Sequence, residues 1–118
     1  MANVIITGAK GRMGQTLILC ASRVSGMRVV ATLDIGDKLE PVIDGADVVI
    51  DFSSHDATPV FAAVCAQHRK AMVIGTTGHS DSEKAEIERA KSQIPIVFAS
   101  NYSTGVNTLF WLTRKAAT

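Results

Sequence analysis

A short β-branched run that breaks into glycines at 8, 11 and 14, VIITGAKGRMGQ over residues 4–15, constrains the fold of this chain more than any other segment. A strand buried on both faces reads as a brief apolar run, and glycine is needed where backbone turns sharply or approaches a ligand. The amphipathic stretch QTLILCASRV follows at once. A helix starting there aims its unpaired N–H groups and the positive end of its dipole at the loop, which suits an anion such as a pyrophosphate.

The spacing needs its context. A dinucleotide fingerprint usually runs GxGxxG, whereas this chain reads GxxGxxG. If Gly11 and Gly14 are the second and third glycines, Ala9 stands where the first would be, and Gly8 is available for the turn one residue earlier. The fingerprint also asks for a strand before, a helix after and an acidic residue about 20 positions on. Asp34 answers the last requirement, closing the apolar run MRVVATLD where it could hold a ribose hydroxyl pair. A glycine-rich turn that binds nothing is the competing reading, and the acidic residue in register argues against it.

Strands and helices then alternate. Strands are expected over 4–7, 28–33, 48–52, 72–74 and 96–99, with helices over 13–24, 59–68 and 81–92. Thr58 is expected to N-cap the second helix with Pro59 at its first position, and Ser80 with Glu83 has capping-box spacing for the third. Residues 35–47, with Gly36, Pro41 and Gly45, read as a loop holding at most a short helix. This alternation predicts an α/β fold: a Rossmann-type doubly wound parallel sheet in three α/β/α layers, with strand order 3-2-1-4-5. At 118 residues the chain fits one domain.

Composition narrows the partners. Twelve basic and eleven acidic residues are interspersed for a net charge of +1, so neither a basic field for nucleic acid nor an acidic tail is present. No stretch has the length and apolarity of a membrane span, and the N-terminus lacks a signal-type core, so a soluble cytoplasmic protein is expected. Cys20 and Cys65 lie in apolar helical patterns without metal spacing and read as buried reduced thiols.

Ligands of such sheets bind outside the carboxyl ends of the strands, at the switch point. Each strand end here is small and polar: the glycine loop, Asp34, DFSSH over 51–55, GTTG over 75–78, and ASNY over 99–102. All five are expected to converge on one crevice. GTTG offers backbone N–H groups and two hydroxyls for ribose or carboxamide contacts, an ordinary glycine turn being the alternative.

Taken in order, GAKGRMG, LDIGD, VVIDFSS, VIGTTG and FASNYSTGVN resemble the N-terminal half of the 4-hydroxy-tetrahydrodipicolinate reductases, also called dihydrodipicolinate reductases. The resemblance covers essentially the whole chain. It implies an NADH- or NADPH-dependent reduction of a cyclic unsaturated dicarboxylate in the diaminopimelate route to lysine. It also implies that Gly8, Ala9, Lys10, Gly11, Arg12 and Met13 hold the pyrophosphate region and Asp34 the adenosine ribose. Gly75, Thr76 and Thr77, with Ala99, Ser100, Asn101 and Tyr102, would face the nicotinamide half and the hinge.

Asp34 accepts hydrogen bonds from a free 2′-hydroxyl and repels a 2′-phosphate, which favours NADH. Some members of the family place arginine next, where this chain has Ile35. Lys10 and Arg12 could turn toward a phosphate or simply face solvent. The expectation is use of both cofactors with a lean toward NADH.

The resemblance further implies a second domain, carrying an HHxxK stretch and a Gly-Thr pair, that binds the dicarboxylate and builds a homotetramer. His55, His68 and His79 stand apart, so no catalytic residue is assigned. His68 would sit in a last helical turn and His79 on a turn, and His55 either lines the crevice or lies on the surface. The segment 104–118 reads as an amphipathic helix, with Trp111 a packing residue, ending without a capping glycine. The chain is therefore expected to be a dinucleotide-binding domain over 1–118, with the hinge and the start of a connecting helix at 101–118, that binds cofactor without turnover.

A short-chain reductase fails for want of a YxxxK pair, since Val106 stands four residues after Tyr102, and a P-loop fails because Gln15 and Thr16 follow Gly14. A non-catalytic nucleotide-sensing module is the alternative from another class.

Overall fold

The computed structural model describes residues 2–23 and 26–98. Five parallel strands, β1 (Ala2–Thr7), β2 (Met27–Leu33), β3 (Val48–Asp51), β4 (Ala71–Ile74) and β5 (Ile96–Phe98), form one sheet. Helices α1 (Arg12–Ser22), α2 (Thr58–Gln67) and α3 (Asp81–Lys91) alternate with them, and the β2–β3 connection holds a single 3-10 turn at Ile43–Gly45. The expected helix over 104–118 and the ASNY segment fall outside the described residues.

Strand order is β2-β1-β3-β4-β5, which corrects the expected order 3-2-1-4-5. Burial explains the difference. Every residue of VVID in β3 is buried, whereas MRVVATL in β2 exposes Arg28, Val30 and Thr32. Helices cover the middle of a sheet better than its margin, so the wholly buried strand sits inside and the half-polar one takes the edge. The β2–β3 connection crosses β1 and brings Leu39, Ile43 and Ala46 into the core beside Ile5.

Two apolar layers flank the sheet, as a doubly wound fold requires. On one face Leu17 and Ala21 of α1 pack with Val4, Ile6, Ile50 and Val73. On the other, Phe61, Ala62 and Cys65 of α2 and Ile87 and Ala90 of α3 pack with Ile5, Val49, Met72 and Ile74. Alternate residues of β1 thus point into opposite layers, each a source of burial energy at about 25 cal/mol per Å² of apolar surface.

Local signals held at α3 and failed at α2. The Ser80 hydroxyl accepts the Glu83 N–H at 3.3 Å and the Glu83 carboxylate accepts the Ser80 N–H at 2.7 Å, completing the capping box. At α2 the N-cap is Ala57 without a side-chain bond, Thr58 occupies the first helical position, and its hydroxyl donates to Asp51 at 2.6 Å. A buried carboxylate won the hydroxyl that the cap was expected to use.

Candidate functional site

The turn from β1 into α1 depends on Gly8. Its φ of +67° lies in the left-handed region, and a Cβ there would stand 2.2 Å from the Phe52 carbonyl oxygen. Gly14 lets the helix close onto that turn, since its Cβ would stand 2.2 Å from the Gly8 carbonyl oxygen. Gly11 caps α1 without a side-chain bond, and no acidic residue occupies the first turn. The N–H groups of Arg12, Met13 and Gly14 therefore lack intrahelical acceptors and are placed for an anion. Ala9 is buried, its N–H donating to the Leu33 carbonyl at 3.1 Å, while the side chains of Lys10 and Arg12 are exposed.

Asp34 follows the last residue of β2. Its Oδ2 accepts the Lys10 N–H at 2.9 Å, and its own N–H donates to Asp37 at 2.8 Å. Between this pair of loops and the end of β3 lies a crevice of about 820 Å³, bordered by Gly8, Lys10, Gly11, Asp34, Phe52 and Ser53. Ile35 stands fully exposed at its rim and Val60 half-exposed on α2, apolar surface suited to a flat base. Asp37 and Asp56 border the same space, and Lys10 is the single basic side chain among the described residues lining it.

Among the described residues the strand ends border two hollows, and the segment that follows β5 lies outside those residues. Thr76 and Thr77 border a second hollow of about 410 Å³ with His79, Lys84, Glu88 and Phe98, while the ends of β1, β2 and β3 share the first. Gly75 sits between them, donating its N–H to the Asp51 carbonyl at 2.8 Å, and a Cβ there would collide with the Phe52 ring. Ala99, Ser100, Asn101 and Tyr102 lie outside the described residues.

Asp51, which the sequence reading did not single out, is bonded to residues bordering both hollows, Thr7 at the first and Thr76 at the second. Its carboxylate is fully buried and accepts from Thr7 Oγ1 at 2.5 Å, Thr58 Oγ1 at 2.6 Å, Thr76 Oγ1 at 3.0 Å and the Ser53 hydroxyl. The Ser53 N–H adds a further bond at 3.2 Å. An acidic residue closing the apolar run VVI, with hydroxyl residues at neighbouring strand ends, is the signal that could have found it.

The histidines stay out of the crevice. His55 is on the surface, its Nδ1 3.0 Å from Glu83. His68 is the C-cap residue of α2, its Nδ1 3.1 Å from Asp44. His79 lies beyond β4 with a buried Nε2 that has no hydrogen-bond partner among the described residues. Nor is any group of three potential metal ligands found among these residues.

A doubly wound parallel sheet, with a glycine turn feeding a helix and an acidic residue after the second strand, defines a Rossmann-type nucleotide-binding α/β domain. The family described as dihydrodipicolinate reductase, N-terminus, matches residues 2–102, and the chain belongs to that family. A 4-hydroxy-tetrahydrodipicolinate reductase of Akkermansia muciniphila is 49% identical over 117 residues, covering 99% of this chain and 48% of the relative. One from an Anaeromyxobacter species is 37% identical over 138 residues, covering 99% and 52%. The chain spans about half the length of these relatives. In fold it is similar to the dipicolinate-bound dihydrodipicolinate reductase from Paenisporosarcina sp. TG-14, with a TM-score of 0.73, 21% identity, and coverage of 86% of this chain and 48% of that one.

Proposed function

We propose that this chain is the nicotinamide-dinucleotide-binding part of a reductase acting on a cyclic unsaturated dicarboxylate of the lysine and diaminopimelate route. The observation that carries it is the crevice at the switch point, where the Asp34 carboxylate is bonded to the glycine loop beside unpaired helix N–H groups. Membership of a reductase family favours this reading over a non-catalytic sensing module. The cradle fits the group: Gly8 and Gly14 stand where any Cβ would strike backbone, the first turn of α1 has N–H groups without intrahelical acceptors, and a carboxylate follows the second strand as the fingerprint requires.

When bound, the cofactor supplies the hydride. The glycine loop and the α1 N-terminus would hold its pyrophosphate, Asp34 its adenosine ribose, and Gly75, Thr76 and Thr77 its nicotinamide side. Asp34, Asp37 and Asp56 around the first crevice disfavour a 2′-phosphate, and Lys10 partly offsets them, so both cofactors bind with a lean toward NADH. Titration of NADH and NADPH into wild type and the Lys10→Ala, Arg12→Ala double variant tests this reading. Loss of NADPH affinity in the variant supports the basic contact, and unchanged affinity removes it. No binding of either cofactor to wild type overturns the function. The same chain is proposed to bind cofactor without turnover by itself, and measurable reductase activity from these 118 residues overturns that part.

A further inference from the structure

We infer that Asp51 is a positioning residue that sets the separation between the glycine loop and the Thr76 loop, so that the two halves of a dinucleotide are recognised together. The inference rests on the dinucleotide-binding reading above.

In the sheet, Asp51 is the last paired residue of β3, opposite Thr7 of β1 on one side and Ile74 of β4 on the other. Beyond this rung few backbone bonds fix the loops: the Phe52 N–H reaches Thr7 at a long 3.4 Å, and Gly75 returns to Asp51 at 2.8 Å. The Asp51 side chain extends the tie by one more layer. Its Oδ1 accepts from Thr7, immediately before the Gly8 turn, and its Oδ2 accepts from Thr76, inside the loop bordering the second hollow. One buried carboxylate therefore ties a residue bordering the first crevice to one bordering the second hollow. The choice of side chain follows from its chemistry: a carboxylate accepts at both oxygens, whereas an asparagine would turn two N–H donors toward a hydroxyl already oriented to donate. Burial makes the requirement strict, since an enclosed carboxylate is tolerated only where its oxygens are supplied with donors.

A purely structural role and a positioning role separate by ligand length. General loosening weakens a whole dinucleotide and its half alike, whereas loss of the spacing affects only the ligand that must reach both loops. NADH and ADP are titrated by calorimetry into wild type, Asp51→Asn, Thr7→Val and Thr58→Val. Asp51→Asn is expected to raise the Kd for NADH about tenfold and that for ADP by less than about threefold, from hydrogen bonds to one buried charged group. Thr7→Val, which cuts the same tie and carries the test if Asp51→Asn does not fold, is expected to show the same split. Thr58→Val removes a donor that joins neither loop and is expected to leave the NADH-to-ADP ratio unchanged. Equal weakening of both ligands in Asp51→Asn and Thr7→Val, or none, overturns the inference. Failure of wild type to bind NADH and NADPH instead removes the reading beneath it.

Discussion

The Asp34 carboxylate and the Lys10 backbone N–H are joined at 2.9 Å, so the residue proposed to read the ribose also holds the glycine loop in position. The two functions occupy different lone pairs of one side chain. Oδ2 takes the loop, and the remaining acceptor capacity borders the crevice.

Asp34→Asn should therefore change cofactor choice more than it changes the fold. The amide oxygen can still accept from Lys10, while the lost charge removes a bond to the 2′-hydroxyl and the repulsion of a 2′-phosphate. NADH affinity is expected to fall about tenfold and the NADH-to-NADPH affinity ratio to fall further. Fluorescence titration of both cofactors checks this, and an unchanged ratio would mean that Asp34 does not face the ribose.

Substitution of the loop glycines should separate backbone collision from mere loss of glycine. Gly8→Ala combines a left-handed backbone with a Cβ 2.2 Å from the Phe52 carbonyl, and Gly14→Ala meets the Gly8 carbonyl at 2.2 Å. Neither obstacle is a side chain that can swing away. Each change is expected to cost about 3 kcal/mol, or a Tm lower by roughly 12 °C for a domain of this size. Gly45→Ala has open space around its Cβ and is expected to shift stability by less than about 0.5 kcal/mol. Thermal melts of the three variants decide, and equal losses in all three would remove the collision argument.

The alternating pattern was legible because each strand here is a short apolar run ended by small polar residues, and the helix start at Ser80 carries its own capping chemistry. Strand order was not, because it depends on which strand receives cover from both helix layers. VVID and MRVVATL differ in that respect by burial, which no local pattern states. In the site, Asp34 could be read from its distance to the glycines. Asp51 could not be weighed in the same way, since its donors come from positions 7, 53, 58 and 76 and meet only after folding. The same long-range competition took Thr58 from its expected place as a cap.

The His55 contact with Glu83 should give the stability of the domain a pH dependence at both ends. The Glu83 hydrogen bond, and then its charge, raise the His55 pKa above its ordinary value. That contribution is complete below the unfolded pKa of about 6.5 and is lost as pH rises through the raised folded value. The backbone N–H of Ser80, and then His55, lower the Glu83 pKa. Its contribution is present above the unfolded value and is lost as pH falls through the lowered one. Wild type should exceed His55→Ala in Tm by the largest margin between the ordinary Glu and His values, about pH 4.3 to 6.5, with the margin closing as pH rises through the raised His55 value. A margin independent of pH would assign the effect of His55 to packing.

Cys65 offers a measure of whether the α2 and α3 layer is closed in solution. It is buried between those helices and the sheet, and burial, with a smaller contribution from the Asp51 charge, pushes its thiol up to about 12. Only the thiolate attacks a disulfide reagent or an alkylating agent, so both enclosure and protonation protect this sulfur at neutral pH. At pH 8 the Cys65 thiol is expected to be modified only as fast as the domain opens, and to react at the ordinary rate in denaturant. Ile87→Ala removes the side chain of α3 that is fully buried in the same layer, a cavity costing about 3 kcal/mol. If Cys65 is reached by opening of this layer, its labelling rate should rise about a hundredfold in that variant, the factor by which such a loss raises the open population. A rate indifferent to Ile87→Ala would place the route to Cys65 elsewhere, through a local movement that leaves the α3 contact intact.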